Sequence, residues 1–186
     1  ELEGKGLDLG RLDVFFANGT TWPGRPGAPT FSALYRNDRD GTFTDVTKAA
    51  GLAVPMFAIG TAAADYDNDG WKDLYVTAIG GNRLFRNLGN GMFADVTAKA
   101  GTRGPGTFGT SAMFFDYDRD GHLDIVIANY VTWTIDKDLF CTLDGKTKSY
   151  CTPESYQGES PTLFRNRGDG TFEDATRKAG LWDPTS

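Results

Sequence analysis

The chain has 186 residues, of which 39% are hydrophobic and 13% aromatic. That balance excludes a disordered segment and allows one domain or an array of small units. The net charge of −6, much of it gathered in two Asp-rich loops, disfavours nucleic acid, which needs clustered Lys and Arg, and points towards a cation. No apolar run approaches the length of a membrane span, so no transmembrane segment is expected.

The first ten residues, "ELEGKGLDLG", carry no signal peptide and do not begin with Met, so the chain reads as a processed or excerpted product. "LDVFFANG" from Leu12 is the first strand-like run, short, rich in β-branched and aromatic residues, and bounded by Asn and Gly. "LYRNDRDGTFTDVTKAAGL" follows from Leu34, and the pattern then returns. "LFRNLGNGMFADVTAKAGT" starts at Leu84 and "LFRNRGDGTFEDATRKAGL" at Leu163, spacings of about 50 and about 79 residues. The excess of about 29 residues is an insertion near Tyr130 to Ser160.

Each repeat contains further strand-like runs. "FAIGTAAADYD" and "FGTSAMFFDYD" precede the Asp loops, and "KDLYVTAIGG" and "LDIVIANY" follow them. Within the shared segment, Asp40-Gly41, Asn90-Gly91 and Asp169-Gly170 mark hairpin tips, where both residues of the pair can take positive φ. Only "VTKAAG", "VTAKAG" and "ATRKAG" have helical flavour, enough for one turn. Four short antiparallel strands per unit predict an all-β fold of β-propeller blades, with a β-sandwich as runner-up. The expected divisions are blade 1 over about 1–50, blade 2 over about 51–101 and blade 3 over about 102–186, with the insertion at 131–160. Arg36, Arg86 and Arg165 are equivalent and are expected to pair with carboxylates or cap hairpins. Phe43, Phe93 and Phe172 are expected in the cores between blades.

"DYDNDGWKDLYV" from Asp65 and "DYDRDGHLDIVI" from Asp116 place like charges at a spacing that repels unless a cation neutralises them. A D-x-D-x-D-G-x-x-D loop offers hard oxygen ligands on alternate residues, which suits Ca²⁺ with its six to eight oxygens and irregular geometry. The expected ligands of the first site are Asp65, Asp67, Asp69, the Trp71 carbonyl and Asp73. Those of the second are Asp116, Asp118, Asp120, the His122 carbonyl and Asp124. An EF-hand is excluded because its closing Glu is at position twelve and helices flank it. Mg²⁺, with its strict octahedral demand, and an ion-free acidic turn are the alternatives. In the first repeat the same alignment puts Lys5, Leu7 and Leu9 in place of the loop carboxylates, so no site is expected there.

The insertion holds both cysteines, Cys141 and Cys151, in a polar loop without CxxC spacing. A disulfide is expected, implying an oxidising compartment, with two free thiols as the alternative. Its Trp133, Phe140, Tyr150 and Tyr156 are residue types that anchor interfaces, and they are the candidate partner-contacting residues. A cover packing over the blade is the competing reading.

The loop, strand and hairpin recur in order over nearly the whole chain. They resemble the FG-GAP/VCBS-repeat β-propeller family, which includes the integrin α-subunit head. The "LFRNRGDGTFEDAT" hairpin and the "YCTPESYQG" insertion are similar to ASPIC/UnbV-type and cartilage-acidic-protein-like repeats. The resemblance implies a propeller, calcium in the loops and an extracellular, cell-surface or periplasmic setting. It also implies that loops on one face recognise partners.

Three blades do not close a propeller. The chain is therefore expected to belong to a larger or oligomeric ring, as an excerpt, a homo-oligomer or a subunit. The leading functional reading is a calcium-binding, non-catalytic module that binds a protein or glycan partner. A structural subunit of a surface assembly or filament is the first alternative. A carbohydrate-active or redox enzyme is the second. Against the enzyme stand a single histidine, His122, inside a metal loop, and carboxylate pairs already committed to an ion.

Overall fold

A computed structural model describes residues 12–21, 26–105 and 108–183. The expected Lys5, Leu7 and Leu9 of the first repeat lie outside the described residues, as does the start of blade 1.

The regular secondary structure of the described chain is almost wholly antiparallel sheet. Blade 1 carries β1 (Val14–Phe16), β2 (Ala33–Asn37) and β3 (Phe43–Asp45), paired in that order. Blade 2 is a four-stranded meander of β4 (Phe57–Ala64), β5 (Asp73–Ile79), β6 (Arg83–Asn87) and β7 (Phe93–Asp95), followed by a single helical turn, α1 (Thr97–Ala100). Blade 3 repeats the meander with β8 (Gly109–Phe115), β9 (Asp124–Asn129), β12 (Thr162–Asn166) and β13 (Phe172–Asp174). The insertion between β9 and β12 adds a small two-stranded ribbon, β10 (Cys141–Thr142) and β11 (Lys148–Ser149). Four-stranded sheets recurring in this order are the blades expected from the repeat.

Successive side chains of a strand point to opposite faces, and the two faces of blade 2 enter different cores. Leu74, Val76 and Phe85 meet Phe15 and Leu34 of blade 1, while Tyr75 and Leu84 meet Ile125, Ile127 and Phe164 of blade 3. The cores therefore lie between sheets. Gly60 shows how close the sheets come: a Cβ there would lie 2.5 Å from the Thr110 carbonyl oxygen of β8. The Thr77 hydroxyl bridges the same gap, donating to that oxygen at 2.9 Å while accepting the Gly60 N–H at 3.0 Å.

A second device recurs in every blade. Asp45, Asp95 and Asp174 each accept the N–H of the Thr two residues on. The hydroxyls of Thr47, Thr97 and Thr176 in turn each accept the buried N–H of Leu34, Leu84 or Leu163 at 2.9 Å. The Asp-x-Thr step thus fastens the end of the last strand to the start of the strand before it.

Two expectations need correction. Phe172 is buried and Phe93 half-buried between blades, but Phe43 is 49% exposed, because among the described residues no sheet covers its face of blade 1. At the hairpin tips the positive-φ residues are Arg39, Gly89 and Gly168 together with Gly41, Gly91 and Gly170, so they flank Asp40, Asn90 and Asp169 rather than include them. The Asp40, Asn90 and Asp169 side chains instead accept the N–H two residues on, an Asx turn in which, of each Asp-Gly or Asn-Gly pair, the glycine alone is in the left-handed region.

Candidate metal centre

Both Asp loops join the first strand of a blade to its second and fold by the same local rules. The Asp65 carboxylate accepts the N–H groups of Asp69 and Gly70 at 3.0 and 2.9 Å, and Asp69 accepts the N–H of Trp71 at 2.9 Å. Asp116 and Asp120 repeat this with Asp120, Gly121 and His122. The chain turns sharply at Asn68 (φ 58°) and Gly70 (φ 92°), and at Arg119 (φ 63°) and Gly121 (φ 86°). Only short polar side chains and glycine adopt this region readily, so Asn68 fits it better than Arg119 does.

The carboxylates converge. Oxygens of Asp65, Asp67 and Asp73 all lie within 4.8 Å of one another, as do those of Asp116, Asp118 and Asp120. The triplets differ in one member: the closing Asp73 belongs to the first, and the third loop acid, Asp120, to the second. Arg86 reaches across from β6 to donate to Asp67 Oδ2 at 2.5 Å and Asp69 Oδ2 at 2.8 Å. Arg165 does the same from β12 to Asp118 and Asp120 at 2.6 and 2.8 Å. These are the carboxylate pairings expected of the repeated arginines. Arg36, in the repeat whose loop acids are replaced, turns to Asp38 instead.

Among the described residues one buried carboxylate oxygen, Asp67 Oδ1, has no hydrogen bond. A buried unpaired oxygen of a charged group is costly, and the residue that carries it belongs to the triplet with Asp65 and Asp73. The donor set is all hard oxygen, which suits Ca²⁺ or Mg²⁺ and not a soft transition metal.

Asp73 and Asp124 do more than close the loops. Both are fully buried. Asp73 accepts the N–H groups of Tyr66 (3.1 Å) and Asn87 (2.8 Å), and Asp124 those of Tyr117 (2.9 Å) and Asn166 (2.8 Å). Burial pushes the Asp73 carboxyl up to about 7 against the pull of those N–H groups, with Asp67 and Asp69 adding to the rise. Burial raises Asp124 as well.

The side chains of Trp71 and His122, expected to serve through their carbonyls, lie over the hairpin tips. A Cβ on Gly89 would meet the Trp71 indole at 2.6 Å, and one on Gly168 the His122 imidazole at 2.7 Å. The two loops also touch. Asn68 Nδ2 donates to the Gly121 carbonyl at 3.3 Å, and Asn166 Nδ2 donates to the Tyr66 carbonyl at 2.9 Å across the blade boundary. The "LFRN" of each hairpin carried the signal for Asn87 and Asn166 by recurrence alone, but the sequence reading assigned them no role.

In the insertion a disulfide joins Cys141 to Cys151, with Cα atoms 5.2 Å apart. The four aromatic candidates part company. Trp133 Nε1 and the Tyr156 hydroxyl turn inward to Asp138, at 3.2 and 3.4 Å, where Lys148 also pairs. With Phe108 and Tyr130 they line a cavity of about 560 Å³. Phe140 and Tyr150 are exposed, Tyr150 at the border of that cavity. No helix among the described residues is long and apolar enough to cross a membrane.

A family model for FG-GAP-like repeats matches residues 10–76 and, again, 65–127. The matches end at Val76 and Ile127, equivalent positions in the strand after each Asp loop. Mouse (Mus musculus) cartilage acidic protein 1 is 31% identical over 127 residues, covering 65% of this chain and 19% of that protein. Human (Homo sapiens) cartilage acidic protein 1 is 32% identical over 87 residues, covering 46% and 13%. The chain thus spans less than a fifth of the length of these relatives.

Proposed function

Because the chain belongs to the FG-GAP-like repeat family, we propose that it is a calcium-stabilised, non-catalytic interaction module that works outside the cytoplasm. Two Ca²⁺ ions are held, one by Asp65, Asp67, Asp69, Asp73 and the Trp71 carbonyl, the other by Asp116, Asp118, Asp120, Asp124 and the His122 carbonyl. The observation that carries this reading is the buried, unpartnered Asp67 Oδ1 within a convergent carboxylate triplet. The Cys141–Cys151 disulfide supports an oxidising compartment. A protein or glycan partner meets the insertion, where Phe140 and Tyr150 are exposed while Trp133 and Tyr156 donate to Asp138.

Calorimetric titration of the chelator-treated protein with CaCl₂ is the test. Two bound ions per chain, and a melting temperature raised by calcium and lowered by EDTA, are expected. A flat titration with a melting temperature indifferent to EDTA would end the reading.

A further inference from the structure

Asn166 stands where the two acidic loops meet. It ends β12, is 1% exposed, and uses all of its side-chain amide. Its N–H donates to Asp124 Oδ1 at 2.8 Å, and its Oδ1 accepts the Gly168 N–H at 2.9 Å. Its Nδ2 divides between the loops, donating to the Leu123 carbonyl beside Asp124 at 3.0 Å and to the Tyr66 carbonyl of the other loop at 2.9 Å. Asn37 and Asn87 make the same bonds within their own blades, N–H to Asp13 or Asp73 and Nδ2 to the Leu12 or Lys72 carbonyl. The bond to Tyr66 is of another kind, because it crosses from blade 3 to blade 2.

Tyr66 lies between two acids of the first loop, Asp65 and Asp67. Its N–H donates to Asp73 Oδ2 at 3.1 Å, and its buried ring packs on Phe172 of blade 3 with centroids 5.6 Å apart. An unbroken line of hydrogen bonds therefore runs from Asp73 through the Tyr66 backbone and Asn166 to Asp124. It joins the closing acids of the two loops. Asn68 adds a second tie, from its Nδ2 to the Gly121 carbonyl at 3.3 Å.

Fixing Asp65 and Asp67 also fixes the Tyr66 carbonyl between them, which is one of the two acceptors of Asn166. The other acceptor, Leu123, adjoins Asp124. Ordering this seam costs conformational entropy once, so the first binding event bears that cost and the second meets a seam already ordered. We propose that Asn166, helped by Asn68, couples the two loops so that a Ca²⁺ ion in either raises the affinity of the other. By linkage the effect is reciprocal. Asn166 is thus a positioning residue for both ions, an inference that rests on the calcium reading of the two loops.

Calorimetric titration with CaCl₂ measures the coupling. Asp67→Asn disables the first site and Asp118→Asn the second. The two-ion association constant of the wild type, divided by the product of the two single-site constants, is the coupling factor. A factor of about 5 or more is expected. Repeating the set in an Asn166→Ala background, checked for folding by circular dichroism, should bring the factor to about 1. Direct charge effects between the sites persist in that background, so the difference is what passes through the amide. If Asn166→Ala does not fold, Asn68→Gly takes its place and should lower the factor, since residue 68 has φ 58° and glycine accepts this without strain. A wild-type factor of one or below, or a factor left unchanged by the folded variant, would overturn the coupling while two bound ions kept the calcium reading. A wild type that binds fewer than two ions would overturn both.

Discussion

Replacing Asp67 by Asn separates the two things its carboxylate touches. Oδ2 pairs with Arg86, whose side chain is 40% exposed. A half-exposed pair contributes about 0–1 kcal/mol, and its loss is partly offset by relieving repulsion from Asp65, Asp69 and Asp73. Without calcium, then, Asp67→Asn should cost under about 1 kcal/mol, a drop of at most about 4 °C for a chain of this size. Oδ1 has no hydrogen bond among the described residues, and its contribution appears only with an ion. At a calcium concentration about a hundredfold above the dissociation constant, one site stabilises the fold by about 2.7 kcal/mol. Losing that site should lower the melting temperature by about 5–10 °C in calcium, while the loop around Asp118 retains its own response. Scanning calorimetry of wild type and variant, in calcium and in EDTA, reads both effects. Equal losses in the two buffers would mean that Asp67 acts only through Arg86, and the ion would drop out of the account.

Thr97→Val keeps the shape of a buried side chain but removes the acceptor of the Leu84 N–H. An unpaired buried donor costs about 1–3 kcal/mol, visible as a lower urea midpoint at unchanged slope; no change would dissolve the Asp-x-Thr clamp. Gly60→Ala forces a methyl against the Thr110 carbonyl and should cost about 1–3 kcal/mol by overpacking, so a neutral variant would show that β4 and β8 are not held at contact distance. Burial raises the Asp95 carboxyl, but the Thr97 hydroxyl and N–H and the Arg83 guanidinium more than offset this and leave it below the ordinary range. Its contribution is therefore complete above the unfolded value of about 4 and disappears as pH falls towards the folded one. Asp95→Asn should flatten the acid limb of the stability–pH curve, and an unchanged limb would count against the assignment. Reductant should loosen the insertion to limited proteolysis near Cys141 while the blades melt as before; a collapse of the whole fold would mean that the insertion is part of the blade cores.

Much of this was legible because the signals are periodic. The Asp loops announce themselves by recurrence, and so do the hairpin tips and the equivalent arginines, whose carboxylate partners stand at fixed offsets. What failed depends on neighbours that periodicity does not name. Phe43 carries the same pattern as Phe172, yet its exposure is decided by whether a sheet lies against its face. Asp40-Gly41 predicts a tight turn, but whether Asp40 itself adopts positive φ depends on the Asx bond to Thr42. In the insertion there is no period at all, so nothing in the order of residues separates inward Trp133 and Tyr156 from outward Phe140 and Tyr150.

The last acid of each loop divides the labour between fold and ion. Asp13 of blade 1 accepts the Asn37 N–H at 2.9 Å, just as Asp73 and Asp124 accept those of Asn87 and Asn166. By sequence, however, blade 1 has Lys5, Leu7 and Leu9 where the other loops have acids. The brace between the second and third strands is therefore retained where the loop acids are not, and it belongs to the blade. The three preceding acids shape something else: a loop whose Asn68 reaches Gly121 and whose Tyr66 carbonyl receives Asn166 of the next blade. An ion gathered by Asp65 and Asp67 would fix that loop and thereby the joint between blades 2 and 3. Between blades 1 and 2 the apolar contact of Phe15 and Leu34 with Phe85 carries the joint without it. Calcium depletion should thus weaken the seam between blades 2 and 3 before it disturbs the pairing of strands within either sheet.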